Sequence, residues 1–322
     1  MKPARDDMKK VAVIGGGTGS FVVLRGLKNY LFDISAIVTM FDSGGSSGVL
    51  RDEFGILPPG DARRCLVALS DGEKEETLRS LFNFRFNNEG SALHGHNFGN
   101  LFLTALTQIV SNEAEAIAQA GEILHVKGRV LPVSLDKAHL SAELEDGNVI
   151  VGETNIDIPK HEGSLKIKRV FLKPKASAYK ETINVIKEAD TIIIGPGDLY
   201  TSVIPNFLVE GISKAVQESK AKKIYVMNLM TKWGETHGFK ASDFASEIIK
   251  YLGIKNLDAI IVHDGFISPE IAETYARQRQ FPVLLDDELK KYTSRIITGN
   301  ICDKSSLLRH DSEKLAALIA TV

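Results

Sequence analysis

The sequence predicts an α/β protein of Rossmann-like build, with a mostly parallel central sheet flanked by helices and a small β-rich insertion. Three observations predict it. Short apolar runs rich in β-branched residues recur along the chain, and each leads into a glycine-rich or polar turn and then a helical pattern, as strands covered on both faces do. The first of these turns has the composition of a phosphate-binding loop. Between 131 and 176 the pattern changes to short polar and β-branched segments split by Asp146-Gly-Asn148, Pro159 and Gly163, which is the pattern of hairpins. The 322 residues are read as one domain, 1–322, with the β-rich segment 131–176 inserted as a lid or dimer surface.

In chain order, Val11-Ala-Val-Ile14 is a buried strand that enters Gly15-Gly-Gly-Thr-Gly-Ser20 and a helix. Gly15, Gly16, Gly17 and Gly19 allow a ligand to approach the main chain without meeting a Cβ. The N–H groups and positive dipole end of the helix then face a phosphate. Gly15 and Gly17 satisfy the first two glycines of the dinucleotide fingerprint, Ser20 replaces the third, and Thr18 adds a hydroxyl. The rival reading is a tight strand-to-helix turn without a ligand. Ile34-Ser-Ala-Ile-Val-Thr-Met40 is the next strand, ending in Asp42, Ser43, Gly44 and Gly45. Asp42 is placed as a ribose-binding acid or as a ligand for Mg²⁺, and the glycine-serine run as a second nest of backbone donors or a mobile turn. Asp61 is read as the N-cap of a helix from Ala62 to Ser70; Arg63 and Arg64 in its first turn imply either a nearby anion or solvated side chains.

Further along, Asn97 or Asn100 caps a helix, and His94 and His96 precede it without an accompanying carboxylate or cysteine at metal-ligand spacing, so a ligand-contacting loop is preferred. Thr191-Ile-Ile-Ile194 repeats the opening arrangement: a strand, then Gly195, Pro196 and Gly197, then Asp198, Tyr200, Thr201 and Ser202 as acceptors and hydroxyls for a base, ribose or phosphate. The strand Lys223–Met230 runs into a loop whose Trp233 either stacks on a base or plugs the core. Ser242-Asp243 caps a helix, Asp258–His263 is another buried strand, and Asp311 or Ser312 caps a last amphipathic helix.

Charge is balanced, 39 basic against 41 acidic side chains, which argues against a general nucleic-acid grip. Cys65 and Cys302 form neither a disulfide framework nor a zinc pattern. The segment Met1–Lys10 is charged and lacks an apolar signal core, and no stretch reaches transmembrane length, so the expectation is a soluble cytoplasmic protein without a membrane span.

Taken together, Gly15-Gly-Gly-Thr-Gly19, Asp42-Ser-Gly-Gly-Ser-Ser-Gly48, Pro58-Pro-Gly-Asp61, Gly99-Asn100, Gly195-Pro-Gly197 with Leu199-Tyr-Thr-Ser202, Asn228-Leu-Met-Thr231 with Gly234-Glu-Thr236, and Arg309-His-Asp311 resemble the gluconeogenesis factor (YvcK-like) family over nearly the whole chain. The wider superfamily includes the 2-phospho-L-lactate transferases (CofD), which are similar in the opening glycine loop and the aspartate after the second strand. The resemblance implies a CofD-like fold, a UDP-sugar ligand such as UDP-N-acetylglucosamine, and a bacterial cytoplasmic role in cell shape and cell-wall homeostasis during gluconeogenic growth. It ties Tyr275 and Arg309 to the uridine end, and it makes Ser312, where relatives can carry a regulatory threonine, a candidate for phosphorylation. Asp198 stands where the family more usually has serine. Through the transferases it also implies that Asp42 helps hold Mg²⁺, while Gly195-Pro-Gly-Asp198 departs from their pattern, so deazaflavin transfer does not carry over. Two functions are therefore expected: a nucleotide-sugar sensor acting through a partner or its own homo-oligomer, a dimer, or a Mg²⁺-dependent transferase. NAD is a third possible occupant, but the sequence shows no hydride-transfer constellation.

Overall fold

The structure is a computed structural model that describes residues 8–71, 75–303 and 308–322. Most of the N-terminal segment read above as lacking a signal core lies outside the described residues. Among the described residues ten strands form: β1 (Lys9–Gly15), β2 (Phe32–Val38), β3 (Arg129–Pro132), β4 (His139–Leu144), β5 (Val149–Val151), β6 (Ile167–Lys173), β7 (Thr191–Ile194), β8 (Lys222–Val226), β9 (Ala259–His263) and β10 (Ile296–Gly299). The helices are α1 (Gly17–Leu27), α2 (Gly45–Phe54), α3 (Gly60–Leu69), α4 (Glu75–Asn83), α5 (Phe98–Val110), α6 (Glu113–Ile123), α7 (Glu153–Asp157), α8 (Lys180–Glu188), α9 (Ile204–Phe207), α10 (Ile212–Glu218), α11 (Ala241–Leu252), α12 (Pro269–Ala276) and α13 (Ser312–Ala320).

Seven strands make one parallel sheet in the order β10-β9-β8-β7-β1-β2-β3, and β5-β4-β6 make a separate antiparallel sheet. The fold is thus α/β with a parallel sheet flanked by helices and a small β-rich addition. The apolar runs explain the centre of the sheet. Alternate residues of β1 point to opposite faces: Val11 and Val13 pack against Val23, Leu24 and Leu315 on one, while Ala12 and Ile14 join Ile192, Ile194 and Tyr225 on the other. Both faces are covered, which is why β1, β2 and β7 read as continuous apolar stretches rather than alternating ones.

The edges departed from the sequence reading. β3 and β10 are only partly buried, with one sheet neighbour each, and so carry no continuous apolar run. Leu131 and Pro132 belong to β3, paired in parallel with β2, and the small sheet occupies His139–Lys173 with α7 between two of its strands. The run after Asp42 is not a mobile turn: it is the start of α2, with Gly44 as N-cap, so the backbone donors it offers the cleft are those of a helix end. Among the described residues no helix is long and apolar enough to cross a membrane.

Candidate functional site

The order of the parallel sheet reverses between β1 and β7, so their carboxyl ends border the crevice in which open α/β sheets bind ligands. The loops leaving these strands touch. A Cβ on Gly19 would lie 2.0 Å from the Pro196 carbonyl oxygen and 3.0 Å from the Gly197 nitrogen. Only glycine permits that approach. Gly17 has φ +65°, where glycine is also favoured, and its N–H donates to Asp61 Oδ1 at 2.8 Å. A Cβ on Gly16 would meet Asp61 Oδ2 at 2.4 Å, and one on Gly15 would meet Ser20 Oγ at 2.7 Å. Gly15 and Ser20 therefore sit behind the loop, while Gly16, Gly17, Thr18 and Gly19 face an open cleft.

That cleft, about 430 Å³, collects the amino ends of α1, α2 and α3. Asp42, Gly44 and Gly45 line it, and Asp42 Oδ1 accepts the Gly44 N–H at 2.8 Å. Ser43 instead binds the small-sheet addition: its hydroxyl donates to Thr154 Oγ1 at 3.1 Å and accepts the Thr154 N–H at 2.9 Å. Asp61 is not the N-cap that the sequence suggested, because α3 begins at Gly60, two residues before the expected Ala62, with Pro59 as its N-cap. Its buried carboxylate reaches into the β1 loop, and burial raises it from the ordinary 3.8 to about 6, against the opposing pull of Arg64. Glu153 of α7 completes this acidic lip; burial, and then Asp42 and Asp157, push it upward.

The two arginines part company. Arg63 lines the cleft but is buried rather than solvated, and its guanidinium donates to Asn100 Oδ1 at 3.0 Å, to the Phe82 carbonyl at 3.1 Å and to Asn83 Oδ1 at 2.6 Å. Arg64 remains about half exposed at the cleft, 3.6 Å from Asp61. Asn100 also lines the cleft, whereas Asn97 does not; it caps α5 by accepting the Asn100 N–H. His96 Nδ1 lies 3.3 Å from Ser46 Oγ, and His94 is exposed and lines neither cleft described here.

A second cleft of about 330 Å³ adjoins the first and shares Thr18, Gly19, Gly197 and Asp198 with it as a common rim. Asn228, Tyr275 and Arg309 line it. Asn228 Nδ2 donates to the Gly197 carbonyl at 2.8 Å, leaving Oδ1 buried without a partner among the described residues. The Tyr275 hydroxyl accepts the Leu308 N–H at 3.0 Å, joining α12 to the segment that carries Arg309. His310 lies beneath, its Nε2 3.1 Å from the Met227 carbonyl, and burial lowers it from its ordinary value to about 4.

The loop after β7 divides. Thr201 and Ser202 line the first cleft, but the ring of Tyr200 is buried against Phe239 and makes no part of either. Trp233 likewise lines neither; the Arg279 guanidinium covers its ring 4.5 Å from the centroid. Beside it, Lys232 is a residue the motif search missed. Its ammonium contacts Asp157, Asp198 at 2.8 Å and Glu235 at 3.1 Å. These three acids form a group with ligand atoms within 4.8 Å of one another, the arrangement of a metal cage, yet a lysine holds its centre. Burial pulls Lys232 down, but Glu235, Asp198 and Asp157 outweigh it and hold the ammonium above its ordinary range. Among the described residues Asp42 belongs to no such cage. Arg85 and Thr39 also line the first cleft without a sequence signal, as do Glu153 and Asp157, which lie in a segment whose local pattern speaks only of hairpins.

Comparison with known proteins gives a consistent result. The family described as 2-phospho-L-lactate transferase CofD matches residues 11–302. The chain is 45% identical to a protein named gluconeogenesis factor from Halalkalibacterium halodurans, covering 97% of this chain and 95% of that one. It is also 45% identical to the gluconeogenesis factor of Bacillus subtilis, covering 96% of each. A crystal structure of a Bacillus halodurans protein superposes with a TM-score of 0.91 at 43% identity, over 97% of this chain and all of that one.

Proposed function

Because this chain belongs to the 2-phospho-L-lactate transferase CofD family, and within it to the proteins named gluconeogenesis factor, we propose that it binds a nucleotide diphosphate sugar across its two joined clefts. UDP-N-acetylglucosamine is the first choice of ligand. The observation that carries the reading is the contact of Gly19 with Pro196 at the reversal of strand order, which sets two glycine-rich turns on one shared rim. The diphosphate rests there, on the backbone of Thr18, Gly19 and Gly197. The nucleoside occupies the smaller cleft, where Tyr275 and Arg309 offer a ring and a guanidinium and Asn228 Oδ1 lacks a partner. The pendant sugar extends into the larger cleft. Occupancy passes to a partner or to the oligomeric state of the protein, in the service of cell shape and cell-wall homeostasis during gluconeogenic growth. Calorimetry with UDP-N-acetylglucosamine, with NAD as competitor, is the test: saturable heat that NAD does not abolish supports the reading, and no heat at millimolar ligand overturns it.

A second reading is favoured by one observation, the crowding of Asp42, Asp61 and Glu153, in which burial raises both Asp61 and Glu153 and the Asp42 charge adds to it. Mg²⁺ is commonly held by one or two carboxylates together with the phosphates of a substrate, and Asp42, with a carboxylate oxygen left free, fits that role although no protein cage surrounds it. When bound, Mg²⁺ supplies charge neutralisation at a phosphoryl group. The protein would then be a transferase acting on a diphosphate-activated substrate. Asp42→Asn should abolish any turnover while keeping nucleotide binding; turnover unchanged in that variant removes this reading.

A further inference from the structure

The lining of the larger cleft combines helix ends and arginines with carboxylates, and a neutral sugar uses only the carboxylates. There α1, α2 and α3, helices of 11, 10 and 10 residues, present amino ends that receive no hydrogen bond from their own N-cap side chains. Such ends carry unpaired N–H groups and partial positive charge. Arg64 and Arg85 line the same cleft. An independent feature accompanies them: Thr39 lines the cleft at 3% exposure, and its Oγ1 has no partner among the described residues. A buried hydroxyl in that condition is uncommon and marks a place where a ligand atom completes the bonding. Asp42 and Asp61 line the cleft too, but each already accepts a backbone N–H, from Gly44 and Gly17. Glu153 and Asp198 line it as well: Glu153 comes from α7, packed beside Ser43 and Gly44, and Asp198, one of whose oxygens accepts from Lys232 at 2.8 Å, comes from the turn after β7. Both offer oxygens that accept hydrogen bonds.

We propose that the larger cleft takes an anionic, polyhydroxylated group, either a sugar phosphate or a sugar acid. Its anion lies on the helix ends with Arg64 and Arg85, and its hydroxyls donate to Glu153 and Asp198. Charge-assisted bonds from arginine fix the anionic end, and the oxygens of Glu153 and Asp198 accept the hydroxyl donors. The proposal leans on the nucleotide reading for one point only, the side from which a pendant group enters. The group arrives from one of two sources: as a separate phosphorylated sugar beside a bound nucleotide, or as the acidic sugar of the nucleotide itself.

Calorimetry on the full chain separates the outcomes. Protein saturated with UDP is titrated with a hexose 6-phosphate, and UDP-glucuronate is compared with UDP-glucose. Binding of the hexose phosphate to the UDP-saturated protein supports a separate ligand; UDP-glucuronate binding about tenfold more tightly than UDP-glucose supports the acidic pendant. In either case the double variant Arg64→Gln, Arg85→Gln should remove that gain while leaving the affinity for UDP unchanged, and Tyr275→Ala should weaken UDP alone. If UDP fails to bind but the hexose phosphate binds, the nucleotide reading falls and this one stands. It is overturned if UDP binds normally while the hexose phosphate does not and UDP-glucuronate gains nothing. Inorganic phosphate binding as tightly as the hexose phosphate overturns the assignment of the hydroxyls to Glu153 and Asp198.

Discussion

Gly19 shows how much of the site depends on the absence of one carbon. Its φ is not in the left-handed region, so its value lies in clearance from Pro196 and not in backbone freedom. Gly17 is the reverse: φ is +65°, and the tightest contact of a Cβ there would be the flexible end of Arg64, at 3.3 Å. Gly19→Ala should therefore destabilise by about 3 kcal/mol or more, as overpacking against fixed backbone does, whereas Gly17→Ala should cost only about 1–2 kcal/mol of left-handed strain. Urea unfolding midpoints rank the two, and the opposite order would refute the assignment. Asp61 gives a pH prediction. Its folded carboxyl titrates at about 6 against an ordinary 3.8, so between those values the folded protein holds a proton that the unfolded chain has lost. The contribution is complete below about pH 4 and declines as pH rises to about 6, by up to roughly 3 kcal/mol. In Asp61→Asn, whose amide oxygen can still accept the Gly17 N–H, this decline should vanish; parallel stability curves for the two proteins between pH 4 and 7 would contradict it.

At the scale of elements, legibility in the sequence followed burial. β1, β2, β7, β8 and β9 could be read because both faces of the sheet are covered, and continuous apolar runs result. β3 and β10 could not, since an edge strand with one neighbour needs no such run. The amino end of α2 was hidden for another reason: glycine and serine suit a loop as well as a helix start, and no side chain of the run caps it. α7 was the most consequential omission. Five residues long, it brings Glu153 to the acidic lip and Asp157 to Lys232, and neither long-range pairing leaves a local pattern. Lys232 thereby ties the small-sheet addition to the turns after β7 and β8. Lys232→Met leaves Asp157, Asp198 and Glu235 facing one another, and the expected loss is about 3–5 kcal/mol at pH 8. Because burial pushes Glu235 up to about 7 even against the lowering pull of Lys232, and losing the lysine moves it further up, acidification should protonate Glu235 and soften the repulsion. The penalty should therefore shrink toward pH 5. A penalty that is small, or independent of pH, would mean that the lysine is not what holds these carboxylates together.

For the whole molecule, the decisive feature is the sheet order, which no single motif carries. The glycine turns at 15–20 and 195–202 could each be found in the sequence, but their meeting depends on β7 returning to the side of β1 opposite to β2. That return also puts Asn228 beside Gly197, and Tyr275 and Arg309 on the smaller cleft, so that ligand-facing groups separated by nearly 300 residues share one surface. Tyr200 and Ser20 fail to join it because their side chains are consumed by the core behind the loops. A ligand held by turns from both halves of the sheet must stabilise both at once. UDP-N-acetylglucosamine at one hundred times its Kd should then add about 2.7 kcal/mol, which for a chain of this size is a rise of roughly 4 °C in Tm. The matching hydrogen-exchange map should show slower exchange at 15–20 and 195–202 together, with β3 and β10 unaffected at the distant edges. Arg309→Ala should remove most of the thermal shift while leaving the unliganded Tm within about 1 °C, since Arg309 is exposed and surface substitutions cost little. Protection confined to one of the two turns would show that they do not act on a common diphosphate, whatever affinity calorimetry returns.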